Sequence, residues 1–236
     1  MATDSLRVKV WDVPLRLFHW VLVAAVAMAF LSAEEGSPLN QWHVLSGWVA
    51  GILVLFRLAW GFVGGEHSRF SDFIRPSRIG HHLANLRQRG EPSLGHNPLG
   101  AVAVVVLLAL VATVVWTGAF GGEGAEEIHE VVGWTLLAMV AVHVLAVIAM
   151  SVVERENLVR AMVVGTKPRE RHPGAKDAFQ PTLIGLLIGL LVVAAATYGV
   201  LSYDPQAFTL RSSEAFEHRS EAVTATALAE EREDED

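Results

Sequence analysis

The sequence predicts an all-α membrane protein, in which a four-helix up-down transmembrane bundle is followed by a fifth transmembrane helix. Three observations support this class. Hydrophobic residues make up 52% of the 236 residues, more than a soluble domain of this size carries beneath a polar shell. Five apolar segments are each long enough to cross a bilayer. Of the four connections between those segments, only alternate ones contain lysine or arginine, as expected for a chain that crosses a membrane repeatedly.

The five segments are predicted to be transmembrane helices over residues 15–33, 42–63, 99–120, 128–153 and 183–201. The first segment resembles a signal peptide ending near LSAEE, but Leu31 stands where signal peptidase requires a small residue. We therefore expect the first segment to be retained. The loops after the first and third segments, EEGSPLNQ and GGEGAEE, are short. Short loops between neighbouring helices are typical of an up-down bundle.

The distribution of basic residues predicts the orientation of the chain. Arginine and lysine precede the first segment and occupy the connections after the second and fourth, whereas the two short loops contain neither. Basic residues in short loops are retained in the cytoplasm. We therefore expect a cytoplasmic N-terminus and an external C-terminus.

The segments that flank the helices divide the chain further. Residues 77–89, SRIGHHLANLRQR, have apolar residues at helical spacing and predict a helix on the membrane surface. We predict a four-helix domain over 1–168, a cytoplasmic linker and fifth helix over 169–202, and an external tail over 203–236. The fifth helix contains Gly185 and Gly189, a spacing that suits close helix packing and also occurs by chance. The tail holds the whole formal charge of −7; it is either a disordered terminus or an electrostatic attractant for a basic partner.

Histidines within the apolar segments are the candidate functional residues, because polar groups in a membrane are costly and usually mark a site. His129 and His143 lie fourteen residues apart, which places them on nearly the same face of the fourth helix, about 21 Å apart along its axis. His19 lies near the cytoplasmic start of the first helix, and His43 at the external start of the second. Matching depths gives the pairs His19 with His143 and His43 with His129.

Two facing imidazoles at equal depth are the axial ligands of a b-type haem iron. The chain contains no cysteine, which excludes disulfides, iron–sulfur clusters and covalently attached haem. Two haems, one for each pair, would form an electron path across the membrane. Packed core histidines and a proton relay are the alternatives. Zinc is disfavoured because the four histidines occupy two depths with no further ligand to complete a tetrahedron.

Four other residues are candidates for the haem environment. Gly47 and Gly51 follow His43 on the second helix and would let a macrocycle approach the backbone, although ordinary helix packing also explains them. Arg16 and Arg57 lie near the cytoplasmic ends of their helices, where they would either neutralise haem propionates or extend to the interface. The remaining histidines are expected to be solvated; they are His67, His81, His82, His96, His172 and His218.

The motifs of residues 8–168 together resemble the prokaryotic cytochrome b561 and nickel–iron hydrogenase cytochrome b subunit family. They are, in chain order, VWDVPLRLFHW, WHVLSGW, FRLAWGFVGGEHSRFSDF, GHNPLGA, IHEVVGW, AVHVLAV and NLVRAMVVGTK. The resemblance implies a four-helix dihaem cytochrome of the bacterial inner membrane that exchanges electrons with quinone. It also implies that His19, His43, His129 and His143 are the haem ligands.

This resemblance leads to an expected function of transmembrane electron transfer between the quinone pool and a periplasmic redox protein. That partner would be a c-type cytochrome or a hydrogenase, so the chain is expected to be an electron-transfer subunit of an oxidoreductase complex. No interaction with nucleic acid is expected, and the oligomeric state is open. Two alternatives are a stand-alone cytochrome that passes electrons from superoxide to quinone and a haem-free membrane anchor.

Overall fold

A computed structural model describes residues 6–34, 36–73, 94–95 and 98–212. In these ranges five long helices form, numbered here α1 to α5: Val13–Leu31, His43–Val63, Pro98–Phe120, Glu126–Val153 and Leu183–Tyr203. All five are long and apolar enough to cross a membrane, and their bounds fall within two residues of the predicted segments. The predicted helical membrane fold is thereby confirmed. The surface helix expected over 77–89, His96, and the tail beyond residue 212 lie outside the described residues.

Helix α2 is the centre of the molecule. It packs against α1, α3 and α5, while α4 packs mainly against α3. Two glycines bring α5 against α2: a Cβ on Gly185 would lie 2.6 Å from the carbonyl oxygen of Val63, and one on Gly189 would lie 2.9 Å from Cζ3 of Trp60. The small residues of α5 therefore serve close packing within this chain.

Asp12 joins three parts of the chain at the end of the bundle where α1 begins and α2 ends, here called the N-terminal end. Its buried carboxylate caps α1 by accepting from the amide of Leu15 at 2.8 Å. It also accepts from Nε1 of Trp60 at 3.1 Å, the amide of Gly65 at 3.0 Å and Oγ of Ser68 at 2.6 Å. One side chain thus fixes the start of α1 to the end of α2 and the turn that follows.

A two-stranded sheet lies at the same end. Strand β1, Arg7–Lys9, pairs antiparallel with β2, Thr166–Pro168, which follows the short helix Leu158–Val164. Val8 in β1 is fully buried. The sequence analysis did not predict this pairing, because a strand of three residues has too few positions to show an alternating pattern.

The opposite end of the bundle, here called the distal end, is covered by the residues that follow α5. Asp204 accepts a hydrogen bond from Nε1 of Trp48 at 3.0 Å and forms an ion pair with Arg211. The amide of Arg211 donates to the carbonyl of Gln41 at 3.2 Å, and Ala207 is fully buried against Trp48. The chain after α5 is therefore anchored to the beginning of α2.

Candidate functional site

The distal end brings two of the four predicted ligands together. His43 is the first residue of α2 and His129 lies in the first turn of α4. Their ring centroids are 6.1 Å apart, and the ring planes are inclined by 72°. Two imidazoles that share one metal ion have centroids about 6 Å apart, since each metal–nitrogen bond is about 2 Å and each nitrogen lies about 1 Å from its ring centre. The separation therefore fits an iron ion between the rings.

Hydrogen bonds fix the tautomer of both distal rings. Nδ1 of His43 lies 2.9 Å from the carbonyl oxygen of Ala29, and Nδ1 of His129 lies 3.0 Å from that of Val114. A carbonyl oxygen only accepts, so each Nδ1 carries the proton and donates it. Each Nε2 then keeps its lone pair, as metal-bound histidines require. Both rings are thus oriented by backbone groups of α1 and α3.

Glycines shape the space around the distal pair. A Cβ on Gly118 of α3 would lie 2.7 Å from Cε1 of His129, so only glycine accommodates the ring there. A Cβ on Gly47 or Gly133 would meet no atom within 4 Å, which leaves open space beside α2 and α4. Gly51 instead lies against Val115 of α3, at 3.0 Å from its Cγ1. Gly47 and Gly51 are among the residues predicted from the sequence. Gly118 and Gly133 are not, because a glycine within an apolar helix is their only signal in the sequence.

The second pair lies toward the N-terminal end. His19 of α1 and His143 of α4 are close enough to interact electrostatically. Nδ1 of His19 is buried and has no hydrogen-bond partner among the described residues. The main packing partner of α1 is α2 and that of α4 is α3, so the helices that carry this pair are not packed tightly against each other. Unlike the distal imidazoles, the ring of His19 therefore has no partner among the described residues that orients it through Nδ1.

The two arginines proposed for the haem environment both lie near the N-terminal end. Nη2 of Arg16 donates to the carbonyl of Val163 at 2.6 Å, and its Nε is buried without a partner among the described residues. Arg57 is only 2% exposed, and its guanidinium lies 4.9 Å from the ring centre of Phe70. Their contact with propionates stays a prediction.

The expectation that the loop histidines are solvated is wrong for His67 and His172. His67 is buried, with Nδ1 2.8 Å from Asp72 and Nε2 lacking a partner in the described part of the chain. His172 is also buried, with Nε2 3.2 Å from Glu156. Both loops fold back on the helix ends, a long-range contact that local sequence patterns do not reveal. The described ranges contain no cluster of three or more histidine, aspartate or glutamate residues able to hold a metal.

Comparisons with known proteins indicate membership of one family of cytochromes. The model of the prokaryotic cytochrome b561 family matches residues 10–165. The chain is similar to proteins described as probable Ni/Fe-hydrogenase B-type cytochrome subunits. That of Bradyrhizobium diazoefficiens is 24% identical over 70% of this chain and 88% of its own. That of Azotobacter vinelandii is 23% identical over 67% of this chain and 87% of its own. That of Cupriavidus necator is 26% identical over 66% of this chain and 85% of its own. No solved structure matches at a significant level.

Proposed function

The chain belongs to the prokaryotic cytochrome b561 family, and on that premise we propose that it carries electrons across the bacterial inner membrane between quinone and a periplasmic redox protein. Two b-type haems would serve this function. The single observation that carries the proposal is the distal pair, because two imidazoles 6.1 Å apart with both Nδ1 atoms engaged by backbone carbonyls are arranged to bind one metal ion.

The proposed ligands are His43 with His129 at the distal end and His19 with His143 toward the N-terminal end. When bound, b-type haem supplies reversible one-electron oxidation and reduction of its iron. The protein's own contribution is to hold each ring in place. Carbonyls of neighbouring helices orient the distal imidazoles and raise the basicity of their Nε2 atoms. The apolar helices around both pairs limit access of water, which influences the reduction potential.

We assign Gly47 and Gly51 to the walls of the distal haem space and Arg16 and Arg57 to the N-terminal side. The open space beside Gly47 supports its assignment. The buried, unpartnered Nε of Arg16 supports a role in binding an anionic group such as a propionate. Gly51 contacts Val115, so its contribution is to bring α2 and α3 together beside the distal pair.

We propose that the N-terminal end is cytoplasmic and the distal end periplasmic. Basic residues support this orientation, since neither of the two distal loops contains a lysine or arginine. The relatives are named as hydrogenase cytochrome subunits, so a hydrogenase is the first candidate for the periplasmic partner and a c-type cytochrome the second. We propose the domain division predicted from the sequence, at residues 168 and 202, with residues 203–236 on the periplasmic side.

Quinone is proposed to react at the N-terminal end. Reduction of a quinone takes up protons together with electrons, so its site needs a group that transfers protons. Buried His67 and partly exposed Asp72 form a hydrogen-bonded pair at that end, and Nε2 of His67 has no partner among the described residues. Arg57 lies close by, over Phe70. These groups support a quinone site there.

The test is a reduced-minus-oxidised visible spectrum of the detergent-purified protein, with haem quantified per chain. A b-type spectrum with two haems is expected. His43→Ala and His129→Ala should lose the same haem, and His19→Ala and His143→Ala should lose the other, whereas His218→Ala in the C-terminal tail should lose neither. A colourless protein would support the haem-free anchor instead, and paired losses of His19 with His129 would refute the assignment.

A further inference from the structure

A basic cavity lies at the N-terminal end, just beyond the last residue of α4. Its volume is about 110 Å³, enough for several atoms the size of a water oxygen. Four arginines line it: Arg7, Arg155, Arg160 and Arg171. Such a concentration of guanidinium groups around one space attracts anions.

We propose that this cavity binds a phosphate group. Arginine suits phosphate because its planar array of N–H donors matches two phosphate oxygens at once. The proposal goes beyond electron transfer and does not depend on haem or quinone.

The arginines differ in how far the protein already uses them. Arg7 is held in place by β2, since its Nε donates to Oγ1 of Thr166 at 2.7 Å and its Nη2 to the carbonyl of Thr166 at 3.0 Å. Arg171 donates from Nη1 to the carbonyl of Glu154 at 3.3 Å. The side chains of Arg155 and Arg160 form no hydrogen bond or ion pair within the described ranges. Two cations are therefore fixed at the wall, and two are available to a ligand.

The one acidic group that lines the cavity, Glu156, does not neutralise the arginines. Its side chain is 3% exposed, and its Oε2 lies 3.6 Å from Nζ of Lys167 and 3.2 Å from Nε2 of His172. Lys167 thus places one positive charge beside the carboxylate of Glu156. Four arginines and one glutamate line the cavity, so its lining carries a net positive charge.

The backbone at Arg155 gives independent support. Its φ is +52°, in the left-handed region that favours glycine at the end of a helix. The amide of Glu156 donates back to the carbonyl of Ser151 at 3.0 Å, which fixes this turn at the end of α4. Glycine would adopt the turn without strain, but only an arginine places a guanidinium at the cavity. Strained residues of this kind are frequent where a protein clamps a ligand.

Two sources of phosphate are compatible with the position of the cavity. The end of a membrane-spanning helix lies at the level of lipid headgroups, and basic pockets there bind anionic lipids. Free inorganic phosphate reaches the same surface from the aqueous phase. Both present the same oxygens to the arginines, so the experiment must separate them.

The test is a titration of delipidated, detergent-purified full-length protein followed by native mass spectrometry and thermal unfolding. The probes are phosphatidylglycerol, inorganic phosphate, and diacylglycerol, which has the acyl chains without the phosphate. Arg155→Gly and Arg160→Gln should each weaken phosphate-dependent binding by about tenfold or more. The control, Lys176→Gln, removes one positive charge from the same connection without touching the cavity and should leave binding unchanged.

Selective binding of phosphatidylglycerol would identify a lipid site. Inorganic phosphate that binds as well as phosphatidylglycerol would identify a site for the free anion. Either result supports the proposal if Arg155→Gly and Arg160→Gln both reduce the binding. Arg155→Gly relieves backbone strain, so the unliganded variant should unfold at no lower temperature than the wild type. The proposal is overturned if neither phosphate probe binds, if diacylglycerol binds as well as phosphatidylglycerol, or if Lys176→Gln weakens binding as much as the cavity variants.

Discussion

Replacement of Gly118 by alanine tests whether the distal histidines are positioned to bind haem. Gly118 lies on α3, facing the ring of His129. A Cβ at this position would lie 2.7 Å from Cε1 and 2.9 Å from Nδ1 of that ring, whereas ordinary contacts begin at 3.4 Å. The ring must therefore move by roughly 0.7 Å, or α3 must move away from α4.

The size of this displacement sets the expected effect. Nδ1 of His129 donates to the carbonyl of Val114 at 3.0 Å, and a shift of roughly 0.7 Å away from α3 takes that distance beyond the limit of a hydrogen bond. Loss of such an orienting bond weakens metal binding about 10- to 100-fold, or about 1.4 to 2.7 kcal/mol. The independent cost of forcing one extra carbon into a packed site is about 1–3 kcal/mol. The two routes agree on the magnitude.

The assay is haem content per chain, combined with a redox titration that resolves the two haems. Gly118→Ala should lose most of the distal haem and retain the other. The control is Gly199→Ala, another glycine inside a membrane helix, where the added Cβ meets nothing within 4 Å. If Gly118→Ala keeps both haems with unchanged midpoint potentials, the distal pair is not the haem site described above.

Three further predictions concern stability, each measured by thermal unfolding in detergent. Asp12→Ala leaves several buried donors without an acceptor and should cost about 3 kcal/mol or more, well above the loss of a helix cap alone. Burial, with a contribution from Glu156, raises the pKa of Glu154 above 4.5. The folded state then holds this proton more tightly than the unfolded state, so stability should fall as the pH rises through the raised pKa. Glu154→Gln should abolish that fall, matching the wild type near pH 4 and exceeding it near pH 8; an identical pH profile would contradict the reasoning. Gly185→Ala should lower the melting temperature, because its Cβ would lie 2.6 Å from the carbonyl oxygen of Val63. An unchanged melting temperature would mean that α5 can move away from α2 without loss of stability.

The helices and the four candidate histidines could be predicted from the sequence because they depend on local composition. A membrane helix is specified by local composition, so hydropathy alone places α1 to α5 within two residues. The pairing of His43 with His129 follows from helix direction and depth, which the loop charges provide. The bilayer restricts the direction and depth of each helix, so this pairing could be predicted without knowing which residues are in contact.

The remaining features depend on contacts between residues far apart in the sequence. Gly118 matters because of a ring on another helix, and Asp12 because of donors some fifty residues away. His67 and His172 stand in polar loops, so nothing in their local sequence indicates burial. The position of the residues after α5 also depends on a long-range contact, since Asp204 accepts a hydrogen bond from Trp48, 156 residues away in the sequence.

The pairing of β1 with β2 makes the order of biosynthesis important. Val8 lies opposite Lys167, so the N-terminal strand has no partner until four membrane helices have been made. At typical translation rates that interval is roughly 10 to 30 s. During this time Val8, an apolar residue that ends fully buried, has no strand to pair with at the N-terminal end of the growing bundle. The sheet therefore forms as a late, non-local step that closes the four-helix unit, and a chain interrupted before residue 166 cannot complete it.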